Sequence, residues 1–112
     1  MSSKSNDGSF CAELRFLPAS EGGRSTPPQS GFHPQLKLGE LQTSCVVTSV
    51  DPDVHAFSFA KPHRVRLQLM FKKEAEEITG HSIAHWCAKG KLLELYEGSK
   101  KIAEGYVIES IR

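Results

Sequence analysis

The chain has 112 residues, of which 38% are hydrophobic and 24% charged. That is enough apolar material for one modest core but not two, and too much for a chain without fixed structure. The net charge is +1, with four basic and four acidic residues in 1–50 and ten and nine in 51–112, so no overall field draws the chain onto nucleic acid or a membrane.

Residues 1–8 (Met-Ser-Ser-Lys-Ser-Asn-Asp-Gly) are polar and are expected to form a flexible tail; they lack the apolar stretch of a signal peptide. The single domain is expected to run over 9–112. Residues 9–17 alternate, with Phe10, Ala12, Leu14 and Phe16 on one face and Cys11, Glu13 and Arg15 on the other. A period of two predicts a half-buried strand. Residues 18–34 hold four prolines and three glycines and must be a long shaped loop. Strands are predicted at 35–38 and 41–50, and a weak one at 54–59 after the Asp51-Pro52-Asp53 turn. Residues 64–71 alternate again, with Val65, Leu67, Leu69 and Phe71 expected inward and Arg64, Arg66 and Gln68 outward.

The period changes over 72–89. Ala75, Ile78, Ile83 and Trp86 suggest helical turns, with Thr79 as a cap and Gly90 as the stop. Residues 91–96 and 101–111 read as a closing hairpin around Gly98-Ser99. About six short strands at this spacing mean a sandwich or a barrel.

Catalytic signatures are missing. Gly90-Lys91 is the only Gly-Lys pair, and His85 stands where a Walker loop needs its first glycine. No row of backbone N–H groups is thereby set up to cradle a triphosphate. Neither G-x-G-x-x-G nor G-x-S-x-G occurs. The expectation is a non-enzyme that takes no cofactor and no GTP. Cys11, Cys45 and Cys87 are too few and too scattered for a disulfide framework, which points to a reducing, cytoplasmic setting. The longest apolar runs span only a few residues, far short of a membrane span.

Three features carry chemistry. His81, His85 and Cys87 are the best metal-like cluster, since an i, i+4 histidine pair on a helix can aim two imidazoles at one zinc. The plainer reading, which we adopt, is surface histidines flanking a core Trp86 and Cys87, because a fourth ligand is lacking. Arg64 and Arg66 share a strand face and Lys72-Lys73 come next, a pattern that suits phosphates. A solvated strand face is the plainer account, since Glu74, Glu76 and Glu77 cancel much of the field. The stretch from Glu21 to Gln35 is the most specific. Gly22 and Gly23 permit a positive φ or a close backbone approach, Pro27, Gly31 and Pro34 shape the rest of the loop, and Arg24 offers a five-donor fork. Arg24 is expected to anchor this loop on several carbonyls or on a carboxylate such as Glu21.

These residues resemble a known family. Phe10, Ala12 and Glu13, then Leu17, then Glu21-Gly22-Gly23-Arg24 with Thr26-Pro27, then Ser30, Phe32, Pro34 and Gln35 are similar to the start of the C-terminal β-barrel domain of bacterial elongation factor Tu. Glu97-Gly98 followed by Lys101-Ile102-Ala103-Glu104-Gly105-Tyr106-Val107 is similar to that domain's final hairpin. The resemblance covers nearly the whole chain from Ser9 and is thinnest in the middle. It implies an all-β fold, a six-stranded antiparallel closed barrel, here with a short helical insertion near 74–89. In the family this barrel follows a GTPase domain and a second barrel, touches the T stem of aminoacyl-tRNA and helps bind the exchange factor Ts. The family usually has arginine at the position of His33, and Gly-Arg with a glycine-rich step where this chain has Ser99-Lys100-Lys101 and Ala103-Glu104.

The resemblance thus implies a binding module linked to translation. Its partner-facing candidates are Arg24, Phe32, His33, Lys100 and Lys101, on the loop and the hairpin. A protein partner is expected first. A tRNA-like RNA comes second, disfavoured by Glu104 and the near-neutral charge. A decoy that mimics the factor's barrel is the alternative, and a small zinc- or thiol-dependent enzyme the third reading.

Overall fold

A computed structural model describes residues 8–109. Residues 1–7 of the expected tail, and residues 110–112 at the end of the last expected strand, lie outside the described residues. Gly8 is not part of a free tail: it is buried, and its carbonyl accepts the Leu69 N–H at 3.1 Å.

Six strands are present: β1 (Ser9–Phe16), β2 (Gln35–Leu38), β3 (Leu41–Ser49), β4 (His63–Leu69), β5 (Leu92–Glu97) and β6 (Lys100–Glu109). They close into a barrel in the order β1-β4-β3-β2-β5-β6, and every neighbouring pair, including β1 with β6, is antiparallel. Closure leaves no unpaired edge to template aggregation. The inward residues of β1 and β4 (Phe10, Ala12, Leu14, Phe16; Val65, Leu67, Leu69) are all buried, as their alternation predicts. They fill the interior with Leu36, Leu38, Val47, Leu95, Ile102 and Val107.

The seam that closes the barrel depends on one glycine. Gly105 lies across from Leu14, and a Cβ there would sit 1.8 Å from the Glu13 carbonyl oxygen. Only a residue without a side chain lets β6 approach β1 so closely.

Several expectations are corrected. Phe71 is not inward: β4 ends at Leu69, and Phe71 is 50% exposed at the start of the helical insertion. No strand forms over 54–59. This segment instead bonds to the long loop, through Ser30 N–H to His55 O (2.8 Å) and Phe57 N–H to Pro28 O (2.9 Å), with one isolated bridge between Gln29 and Ala56. Pro27 and Pro28 have no N–H to donate, so the pairing cannot propagate into a ladder.

The insertion is two helices, α1 (Lys72–Thr79) and α2 (Ile83–Trp86). Thr79 does not cap the second; it ends the first, where Gly80 adopts φ 77° and returns its N–H to Glu76 O. Ser82 caps α2 instead, accepting from the His85 N–H at 3.2 Å. The corner is stitched by Glu76, which accepts the Ile83 N–H at 2.8 Å, and by Trp86, whose indole N–H reaches the Thr79 hydroxyl at 3.2 Å. Ala75 and Ile83 pack on the barrel, whereas Ile78 is 68% exposed, against the expectation from periodicity. No helix among the described residues is long and apolar enough to cross a membrane.

Candidate binding surface

One end of the barrel gathers the loop of residues 18–34, the start of β4 and the β5–β6 turn. Antiparallel pairing fixes this: Leu14 lies across from His63, and Phe16 across from Ala103, just inside the closing turn. An aromatic plug floors this end. Phe16 stacks on Phe57 with ring centroids 4.6 Å apart and meets Phe32 at 6.0 Å and His63 at 6.1 Å. Phe32, expected as an outward aromatic anchor, is half-buried against this plug, and its backbone bridges Val47 of β3.

The loop above the plug is shaped by its two adjacent glycines in different ways. Gly22 adopts φ 86° to end a single 3-10 turn (Ala19–Glu21). Gly23 allows a close approach, since a Cβ there would lie 1.9 Å from the Leu17 carbonyl oxygen. With no side chain in the way, the chain folds back so that Gly23 N–H bonds Pro18 O and Arg24 N–H bonds Leu17 O, both at 2.9 Å. Gly31 has φ 95° and donates to Val47 O at 2.7 Å. Pro34 is buried and accepts from Cys45 N–H at 3.0 Å, while Pro27 is exposed. The loop is thus tied to β3 and to 55–57 by its own backbone.

Arg24 adds a side-chain clasp. Its Nε donates to the Thr26 carbonyl at 2.9 Å, its Nη1 to the Glu97 carboxylate, and its guanidinium lies 5.9 Å from the Phe32 ring centroid. Glu97 ends β5, so this arginine joins the loop to the closing hairpin. The partner expected from sequence, Glu21, instead holds Arg15 at 3.0 Å.

Arg15 begins a chain of alternating charge across β1, β6 and β5. It also reaches Glu104 at 3.3 Å; Lys101 bonds Glu104 at 3.0 Å and Glu94 at 3.5 Å. Glu94 further accepts the Tyr96 hydroxyl at 3.0 Å. Glu94 and Glu104 lie directly opposite across the β5–β6 pair, an arrangement that repels unless cations intervene. Lys101 and Arg15 supply them. Lys101, ahead of Arg15, holds the Glu104 carboxyl below its ordinary range, and Glu104 in turn raises Lys101. Of the candidate contact residues, Arg24 and Lys101 are therefore engaged within the chain. Lys100 and His33 are exposed and form no ion pair among the described residues.

His81, His85 and Cys87 do not converge. The two imidazoles stack on the surface with centroids 4.2 Å apart and planes 18° apart, and both meet Trp86 edge-on. Cys87 is fully buried, and burial pushes its thiol up to about 12. Among the described residues no group of three or more histidine, cysteine or acidic side chains is placed to hold a metal ion. The basic strand face also resolves: Arg66 donates to the Ser9 hydroxyl at 3.0 Å and Lys72 pairs with Glu76 at 3.3 Å.

Sequence reasoning passes over one feature, a cleft between the end of β3 and the start of β4 lined by Ser49, Val50, Asp51, Lys61, His63 and Arg64 among others. The sequence treats Lys61-Pro62 as punctuation, and only Arg64 carries a signal.

Comparison with protein-family models and with curated proteins finds no match to this chain.

Proposed function

We propose that the chain is a non-catalytic binding module of the elongation factor Tu C-terminal barrel type, and that its loop-and-hairpin end receives a protein partner connected with translation. One observation carries this reading. Arg24 ties the loop of residues 18–34 to Glu97 across 73 positions of sequence, uniting the two segments that resemble the family into one stiff, solvent-facing surface. Preformed loops on a rigid barrel present shape without disturbing the core.

Charge supports a protein over RNA. Arg15, Arg24 and Lys101 face Glu21, Glu94, Glu97 and Glu104 within this surface. A phosphate backbone approaching it meets carboxylates already holding the cations, so counterion release has little to draw on. The test is capture from lysate on the immobilised chain, with and without nuclease, comparing wild type with a Lys100→Glu, His33→Glu variant. The reading expects a nuclease-resistant, salt-tolerant protein partner that the variant loses while its melting curve stays put. Nucleic acid as the captured species, or a partner indifferent to the variant, would overturn it.

A further inference from the structure

The cleft at the β3–β4 end has a donor set that the molecule leaves unused. His63 is 8% exposed, and its Nε2 accepts the Ser58 backbone N–H at 3.0 Å, with the Ser58 hydroxyl at 3.2 Å. A backbone N–H can only donate, so Nε2 carries the lone pair and the ring proton resides on Nδ1. Nδ1 meets no acceptor among the described residues. No side-chain nitrogen or oxygen there is both buried and unbonded, so this N–H keeps some contact with solvent, and His63 is among the residues that line the cleft. Burial, and then the charge of Lys61, hold the ring below its ordinary pKa.

Lys61 and Arg64 line the same cleft and are exposed. Neither forms an ion pair among the described residues, although Glu13 lies across from Arg64 on β1. Ser49 Oγ accepts the Asp51 N–H, which leaves its hydroxyl proton available to donate. The residues that carry two cations, an imidazole N–H and a hydroxyl thus line a space of about 300 Å³, at the small end of ligand sites and sized for one short group rather than a nucleotide.

We propose that this cleft binds a carboxylate, held by Lys61, Arg64 and the His63 Nδ1–H. Two features select a carboxylate over a phosphate. Asp51 also lines the cleft, so Lys61, Arg64 and Asp51 together carry one net positive charge, which a monoanion neutralises and a dianion overcompensates. Val50, 53% exposed, with Val54 and Pro62, makes apolar walls that suit the methylene stem of an acidic group. Arg64 supplies the fork that matches a carboxylate with two parallel hydrogen bonds. The inference stands apart from the loop-and-hairpin reading and does not need it.

The experiment is an NMR titration of the whole chain, read at the His63 ring nitrogens and the backbone amides of residues 49–51 and 61–64. The probes are sodium acetate, a short peptide blocked at both ends and bearing one glutamate, sodium phosphate, and sodium chloride as the ionic-strength control. Before any addition, the ring should show its proton on Nδ1. Acetate and peptide should then shift these signals saturably, and Lys61→Gln with Arg64→Gln should weaken both titrations at least tenfold while the amide spectrum stays dispersed. Peptide binding tenfold tighter than acetate identifies the acidic side chain of a protein as the source; equal affinity identifies a free small acid. The proposal fails if the ring proton is on Nε2, if chloride reproduces the shifts, if phosphate binds more tightly than acetate, or if the double variant titrates like wild type.

Discussion

The hairpin face and the β3–β4 cleft lie at the same end of the barrel and both carry basic side chains, yet their chemistry differs. On the hairpin face Arg15, Arg24 and Lys101 are each within 3.5 Å of at least one carboxylate. In the cleft Lys61 and Arg64 have no such partner among the described residues, and His63, whose Nε2 accepts the Ser58 N–H, stands beside them. A basic residue offers itself to a ligand only if no closer acid holds it. The hairpin face is therefore a shaped, nearly self-neutral surface and the cleft an electrostatically open one.

The comparison breaks most sharply where the backbone that shapes the hairpin face is disturbed. Gly105→Ala and Gly23→Ala each force a Cβ against a carbonyl oxygen, at 1.8 Å and 1.9 Å respectively. Neither neighbour is a flexible side-chain tip that can move aside. Each substitution should lower the unfolding free energy by about 3 kcal/mol or more, read from urea denaturation. Gly22→Ala is the control: φ is 86° but no atom lies within 4 Å of the added carbon, so only the left-handed strain of about 1–2 kcal/mol applies. Equal losses at positions 22 and 23 would refute the close-approach account.

Arg24→Ala comes next. The clasp to Thr26 and Glu97 is partly exposed, so water can replace its hydrogen bonds, and the loop's backbone bonds to β3 remain. The expected loss is about 1 kcal/mol, the usual net value of such bonds, with the hairpin turn at Gly98 showing faster amide exchange. An unchanged melting curve and unchanged exchange would assign the arginine to a partner rather than to the loop.

The parts of this architecture legible in the sequence are those set by local rules. Period-two alternation places β1 and β4 because each has one face in the core, and Gly22-Gly23 announces a special backbone because few other residues tolerate it. Periodicity puts Phe71 and Ile78 inward because it finds a stripe without saying where an element stops facing the core. The 54–59 segment has the composition of a strand, but its neighbour is a proline-bearing loop, and composition does not reveal the neighbour. The Arg24–Glu97 clasp and the cleft are illegible for a different reason. Their members, 73 residues apart in one case and drawn from 49–64 in the other, meet only after the barrel closes. In sequence, the nearer carboxylate for Arg24 is Glu21.

Acid sharpens the contrast from the cleft side. The His63 pKa is lowered on folding, first by burial and then by Lys61. The unfolded chain therefore binds more protons than the native one in the window just below the ordinary value near 6.5, and stability must rise with pH through that window. The barrel should melt at a lower temperature at pH 5.5 than at 7.5. His63→Gln, which keeps an acceptor for the Ser58 N–H, should flatten part of that difference. Glu104 acts in a lower window: its depressed pKa stabilises the fold above the ordinary carboxylate range and ceases to do so as pH falls through the folded value. A His63→Gln variant with the same loss between pH 7.5 and 5.5 as wild type would detach the histidine from the acid response.

The smallest effect on stability comes from the residue that most distinguishes the two surfaces. Glu104 is partly exposed and holds Lys101 at 3.0 Å and Arg15 at 3.3 Å. Exposed pairs of this kind contribute about 0–1 kcal/mol each because solvent screens them. Glu104→Gln also relieves the repulsion from Glu94 directly opposite, so the net change in unfolding free energy should stay within about 0.5 kcal/mol. The electrostatic consequence should be larger than the thermal one. The substitution removes one negative charge and loosens two cations on the hairpin face. If self-neutralisation is what keeps polyanions off this surface, Glu104→Gln should raise affinity for a short single-stranded RNA several-fold at about 50 mM salt, with a steeper salt dependence than wild type. Fluorescence anisotropy across a salt series reads both quantities. An RNA affinity and slope that do not respond to Glu104→Gln would show that the charge chain is not what sets this surface apart from the cleft.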